Sequence, residues 1–395
     1  MKRRLAALAV SLVIASAAQA ADIQLQGLLD VTASKGTPAL ELNRLDDDAT
    51  DFQPYRLRLF AESVIPGGFE AYANFLFDDA LGAKVTGIYL TYRLGAPELG
   101  FDIAAGKLPW FVGNRAPRAE RERRSIVGTP VLYQYRTALR EDAVPSSPDA
   151  LLSQAGLGVH HPDYGGGPGE SGMPIVEQAN WDVGAVITWT DGTFEAMAGA
   201  ENGSPSAPND GVDWNPGKSL IGRVGFAISP GMRVGASGAV GPYLRSDVNA
   251  SLPIDHDAGD YAQQLYMVDA ELVRGHAEIY AEGAYNVWET PYTGDLRARA
   301  FYTEARYGFL NGVFGSARID GMDFSNVTRS NGTSRSWDDD LIRIEGALGY
   351  RVNRSATLRV IGQQTQYVGD AKAERSAADI RRIFNLFAAQ LSLKF

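Results

Sequence analysis

Cysteine is absent from all 395 residues, which excludes disulfide frameworks, thiolate metal sites and cysteine nucleophiles. Histidine is nearly as scarce. His160, His161, His256 and His276 are the only four, and beyond the adjacent pair none has a partner at metal-ligand spacing. No Gly-x-Ser-x-Gly elbow occurs. Gly217-Lys218-Ser219 is separated from Gly211 by five residues rather than four, in a Pro-rich stretch, so it does not make a phosphate-binding loop. No metal and no cofactor is implied, and little is left for an enzyme to work with. Long apolar runs are also missing: after Leu5–Ala15 nothing approaches the roughly 20 residues of a membrane-spanning helix. The formal charge of −10 argues against a nucleic-acid partner.

What is present begins with Lys2, Arg3 and Arg4, the short apolar run Leu5–Ala15, and the small-x-small site Ala18-Gln19-Ala20. This order predicts a secretory signal peptide over residues 1–20. Its three basic residues leave with it, so the remainder, residues 21–395, carries −13 rather than −10. The 43 Gly, 17 Tyr and 16 Phe suit strands with aromatic girdles.

From there the chain alternates. In the last stretch Phe387, Ala389, Leu391, Leu393 and Phe395 fall on one face and Ala388, Gln390, Ser392 and Lys394 on the other, the period of a strand. This strand, ending on a bare aromatic terminus, resembles the closing strand of bacterial outer-membrane β-barrels. The resemblance implies that it is the signal read by the barrel-assembly machinery, and that it zips against the first strand. A sheet in lipid must close, because an open edge leaves backbone groups without partners. The remaining alternating segments bring the expectation to an all-β, antiparallel transmembrane barrel of 16 strands. Seven short turns, among them Pro66-Gly67-Gly68, Asp191-Gly192 and Asn311-Gly312, and eight mostly longer links fit that number. Leu151–His161 also reads as a strand, which leaves an 18-strand alternative open.

The longest link, residues 109–180, is long enough to be functional. It follows Gly106-Lys107-Leu108-Pro109-Trp110-Phe111-Val112-Gly113, which is similar to the start of the inward-folding loop of 16-stranded phosphate-type porins. The resemblance implies a constriction loop and passive diffusion of small polar or anionic solutes at the cell outer membrane. It also implies lipid and lipopolysaccharide as surroundings, and it is compatible with a homotrimer. The loop's stretch from Arg115 to Arg140 is basic: Arg115, Arg118, Arg121, Arg123, Arg124, Arg136 and Arg140 stand against Glu120 and Glu122, +5 in a chain of −13. Arginine is always ionised and offers a planar fork to carboxylate and phosphate, so a narrow pore lined by it favours anions. With Lys107 these arginines are the constriction candidates, and pairing with wall acids is the competing role. Period two places Arg56, Arg58, Glu62, Glu70, Glu278, Glu282, Arg297, Arg299, Arg343 and Glu345 on the lumen wall. The acidic runs Asp46-Asp47-Asp48 and Asp338-Asp339-Asp340 read as solvated loop charge, with divalent cations as the less favoured reading. A barrel enzyme and a closed adhesin or structural barrel remain the alternatives to a channel.

Overall fold

The computed structural model describes residues 22–36, 51–78, 82–96, 99–115, 124–165, 171–178, 181–209, 213–368 and 383–395. The signal-like residues 1–20 lie outside that set. The sheet opens with β1 (Asp22–Gly36), β2 (Asp51–Ile65), β3 (Phe69–Asp78) and β4 (Gly82–Ala96). It continues through β5 (Leu99–Pro109), β6 (Trp181–Thr190), β7 (Phe194–Glu201), β8 (Ser219–Ser229) and β9 (Met232–Pro242). Next come β10 (Ala262–Arg274), β11 (Ala277–Trp288), β12 (Leu296–Gly308) and β13 (Val313–Phe324). Two short strands, β14 (Asn326–Thr328) and β15 (Ser334–Ser336), pair only with each other. The last three are β16 (Leu341–Arg351), β17 (Ala356–Tyr367) and β18 (Ile383–Lys394). Apart from the β14–β15 hairpin, each strand pairs antiparallel with its chain neighbours, and β18 returns to β1: a closed barrel of 16 strands.

The seam closes with Leu28 opposite Lys394 through to Gly36 opposite Leu386. Phe395 extends it, its N–H donating to the Gly27 carbonyl at 3.1 Å while the Gly27 N–H donates back at 2.7 Å. A Cβ on Gly27 would stand 2.4 Å from the Phe395 ring, so a side chain here would require the terminal ring to shift. Along β18 the residues alternate between exposed and buried, with Phe387, Ala389 and Leu391 on the outside. Short turns gather at one end of the barrel. Asn311 and Gly312 both take positive φ, 61° and 81°, as a two-residue hairpin between twisted strands demands.

The 18-strand alternative does not hold. Leu151–His161 is helical instead: α1 runs Pro148–Ser153, a 3₁₀ turn covers Gly158–His160, and Ser147 Oγ caps the helix by accepting from the Ala150 N–H at 3.2 Å. Proline in the first turn and a serine before it are a helix start, which outweighs the apolar character of the segment. The loop holding α1 enters the barrel. Trp110, Val131, Leu132, Leu139, Leu151 and Ile175 are fully buried and join one core with the inward-facing Leu265, Trp288, Leu296, Met322, Leu341 and Leu386. At the long-loop end the β8–β18 side of the lumen is therefore packed with apolar side chains, where strand alternation predicts a polar face. Burying such a side chain stabilises by about 1.5–3 kcal/mol, so this core holds the loop in place.

Candidate functional site

The loop crosses the lumen near the middle of the strands and is pinned on both sides. Leaving β5, its Gly113 N–H donates to Ser237 Oγ of β9 (3.0 Å) and its carbonyl accepts from Arg223 of β8 (2.9 Å). The Asn114 N–H then donates to Glu282 of β11 at 2.7 Å, and the Tyr133 hydroxyl donates to the other oxygen of the same carboxylate. Ser125 donates to Glu304 of β12, the Val131 N–H donates to Asp320 of β13 at 2.9 Å, and Arg343 of β16 donates to the Thr129 carbonyl. Across the lumen Arg124 pairs with Asp30 of β1.

Beneath these anchors the wall is a closed ion network. Arg318 and Arg343 are fully buried. Arg343 binds Asp320 through Nε (3.0 Å) and Nη2 (2.5 Å), and Arg318 binds Glu304 (3.1 Å) and Glu345 (2.6 Å). Charges taken this far out of water persist only when paired. Arg115 of the loop joins from above, donating to Thr129 Oγ1 at 3.2 Å with its guanidinium 5.3 Å over the Tyr133 ring. Burial, despite nearby Tyr302, lowers this guanidinium to about 10.

Closer to the long-loop end, Asp338 is a second anchor. It accepts from the Tyr135 hydroxyl (2.8 Å), the Ala138 N–H (2.5 Å) and the Gly156 N–H (2.6 Å), all from the inward loop. Burial, and then the neighbouring Asp339, push its carboxyl up to about 7. The expectation of solvated charge at Asp338 and Asp339 is thus corrected: both are buried, Asp338 because it satisfies backbone donors of a loop that the sequence order keeps far away. Asp46, Asp47 and Asp48 lie outside the described residues.

Other candidates fall as follows. Arg136 pairs with Glu177 (2.6 Å) and Arg140 with Asp142 (2.7 Å), both within the loop. Lys107 is buried and donates to the Val85 carbonyl at 3.1 Å. Arg118, Arg121 and Arg123 lie outside the described residues. Arg56 sits opposite Asp30 and Arg58 opposite the buried Leu28, so both share the inward face. Glu62 follows on that face of β2. Glu70 and Asp102 flank Arg93 at 3.2 and 2.9 Å, and Glu278 holds Arg306 at 2.8 Å. Glu282, Arg343 and Glu345 face inward as described above. Arg297 and Arg299 do not: on β12 the buried set is Leu296, Ala298, Ala300, Tyr302 and Glu304, which turns both arginines outward with Phe301. A shift of one residue in a strand exchanges its faces, and here the large apolar Phe301 decides which face meets the exterior.

Several residues with the most connections were not among the candidates: Asp30, Glu304, Arg306, Arg318, Asp320, Asp338 and Arg359. Arg318 and Asp320 alternate with the outward Ala317 and Ile319, so period two could have found them. Arg359 of β17 donates to Ser392 Oγ (2.8 Å), which donates on to Asp30 (2.5 Å), linking it to Arg124. Arg359 is also within electrostatic reach of Arg306 and Arg351, and Asp30 within reach of Arg58. Three arginines, Arg58, Arg124 and Arg359, therefore gather around Asp30 where the loop meets the β1–β17 wall, with Arg306 and Arg351 beyond Arg359.

A closed 16-stranded barrel with a loop drawn across its lumen defines the porin type of outer-membrane fold. Solved structures agree with it. OmpT of Vibrio cholerae, in a form lacking loop L8, matches at a TM-score of 0.57 and 12% identity over 95% of this chain and 100% of that one. The outer membrane channel DcaP of Acinetobacter baumannii matches at 0.57 and 12%, over 95% and 98%. Salmonella typhi OmpF, solved with daunomycin, matches at 0.56 and 11%, over 94% and 97%. No family model and no curated protein matches the sequence.

Proposed function

We propose that this chain is an outer-membrane porin, a passive channel for small hydrophilic solutes with a preference for anions. Residues 1–20 direct export, residues 21–395 form the barrel, and residues 109–180 form the constriction. The short turns face the periplasm and the long loops the exterior. The observation that carries the reading is the loop itself, tied at mid-height to Asp30 on one wall and to Glu282, Glu304 and Asp320 on the other, a placement that narrows a lumen without ending it. Below it, charges keep contact with solvent: the Arg93–Glu70 pair is 33% and 44% exposed, against 0–1% for Arg343 and Arg318 in the network under the loop. That gradient is what a water-filled vestibule beneath a constriction produces.

Anion preference follows from Arg58, Arg124 and Arg359 around Asp30, with Arg306 and Arg351 beyond Arg359, since screening reaches only about 8 Å at physiological salt and distant acidic residues are not felt there. Arginine suits phosphate and carboxylate alike, which favours small anions of the phosphate class among the solutes. Assembly through the C-terminal strand, a lipopolysaccharide-bearing membrane and a homotrimer complete the proposal, with no cofactor. Purified barrel in a planar bilayer tests it: stepwise conductance, together with sugar-dependent swelling of liposomes, is expected. A heat-modifiable, folded barrel that conducts nothing and swells nothing would leave the enzyme and adhesin readings standing and remove this one.

A further inference from the structure

We propose that Arg297 and Arg299, on the outside of β12, form a site for the phosphate groups of outer-leaflet glycolipid. Both side chains point away from the lumen, with 51% and 72% of their surface exposed. They stand in register with an aromatic row. Tyr266 of β10 lies opposite Tyr285 of β11, Tyr285 opposite Arg299, and Arg299 opposite Asp323 of β13, all on the outer face. One step higher, Gln264, Val287 and Arg297 form the next row, and Arg297 exchanges backbone bonds with Ser325: its N–H donates to Ser325 Oγ at 3.1 Å and its carbonyl accepts from the Ser325 N–H at 2.9 Å.

Height identifies what these arginines meet. On the outer face of β12 the lowest large ring is Tyr307, followed upward by Ala305, Thr303 and Phe301. At about 3.3 Å per residue and a tilt of about 40°, Arg299 is roughly 20 Å and Arg297 roughly 25 Å above Tyr307 along the membrane normal. The apolar band of such barrels is about 25 Å tall and bordered by aromatic rings. Arg297 stands at the upper border, and Arg299, in the tyrosine row about 5 Å beneath it, reaches the lipid headgroups by extending its long side chain upward. Their acidic neighbours do not hold them. Asp323 is 3.9 Å from Arg299 and Asp295 is 3.4 Å from Arg297, both pairs are exposed, and pairs of this kind are weak enough to yield to a phosphate.

The inference rests on the outer-membrane reading, and conductance of the same preparation reports on that reading separately. Native mass spectrometry of the detergent-solubilised barrel, titrated with diphosphoryl lipid A and with dephosphorylated lipid A, is the test. Wild type should retain the phosphorylated form preferentially. The R297E/R299E variant should bind it roughly tenfold or more weakly while conducting as wild type, and R297K/R299K should keep most of the affinity. Equal retention of the two lipids by wild type overturns the site whatever the variants do, as does undiminished binding by a folded R297E/R299E barrel. Complete displacement by millimolar inorganic phosphate would make it a soluble-anion site and overturn it too. A change in oligomeric mass with lipid binding unchanged would mean that this face is a subunit contact.

Discussion

Asp320 is the carboxylate on which the placement of the inward loop depends most. It binds Arg343 at 3.0 and 2.5 Å, stands 3.8 Å from Arg318, and accepts the Val131 N–H of the loop at 2.9 Å. All three charged groups are closed off from solvent. In Asp320→Ala, Glu345 and Glu304 are the carboxylates left to Arg343 and Arg318, and Val131 loses its acceptor. Removing one partner of a buried pair costs about 3–5 kcal/mol, a figure that already contains much of the roughly 1–3 kcal/mol for the orphaned N–H. If the cost appears as loop release rather than global unfolding, the open population should rise by about two to four orders of magnitude. Trypsin cleavage at Arg124 and Arg136, timed on the folded barrel, reads the first outcome, and the unfolding midpoint in guanidinium reads the second. Asp320→Asn keeps an acceptor for Val131 and should lose less. A variant with wild-type cleavage and a wild-type midpoint would refute the claim that this network holds the loop.

Asp338 folds with its carboxyl raised from 3.8 to about 7, so folding favours its protonated form; the docking it contributes is complete below pH about 4 and is lost as the pH rises through 7. The unfolding midpoint should accordingly be higher at pH 5.5 than at pH 8.5, and Asp338→Asn should shrink that difference; an unchanged difference assigns it to other groups. Gly27→Ala puts a Cβ within 2.4 Å of the Phe395 ring and should reduce the heat-modifiable band on unboiled gels, with Phe395→Leu in the same chain restoring part of it. Equal band intensity in Gly27→Ala and wild type would remove the seam contact from the account.

Strands were the most legible part of this chain, because a closed sheet between lipid and lumen imposes period two on every segment, and Trp181–Thr190 or Phe194–Glu201 show it without help from distant residues. Turns were equally plain where Asn311-Gly312 or Pro66-Gly67-Gly68 interrupt the alternation. The outward parity of Arg297 and Arg299 is legible beside them: Phe301 and Tyr307 share their face, and bulky apolar groups belong to the exterior. The helical character of 148–153 was also available from Ser147-Pro148. Other features had no local sign. Nothing near Asp338 in the sequence shows that Ala138 and Gly156 bring their N–H groups to it, and nothing in β18 shows that Leu386 faces a packed loop rather than water. Lumen contents depend on contacts across well over a hundred residues of chain, and alternation records only which face a side chain takes.

The central claim is that a barrel of net negative charge passes anions preferentially because the arginines around Asp30 sit where the loop narrows the lumen. The reversal potential of single channels in a KCl gradient across a planar bilayer tests this most directly. The account predicts a sign favouring chloride over potassium, diminished in Arg124→Ala and Arg359→Ala. A channel that prefers potassium, or a chloride preference indifferent to both changes, would contradict it.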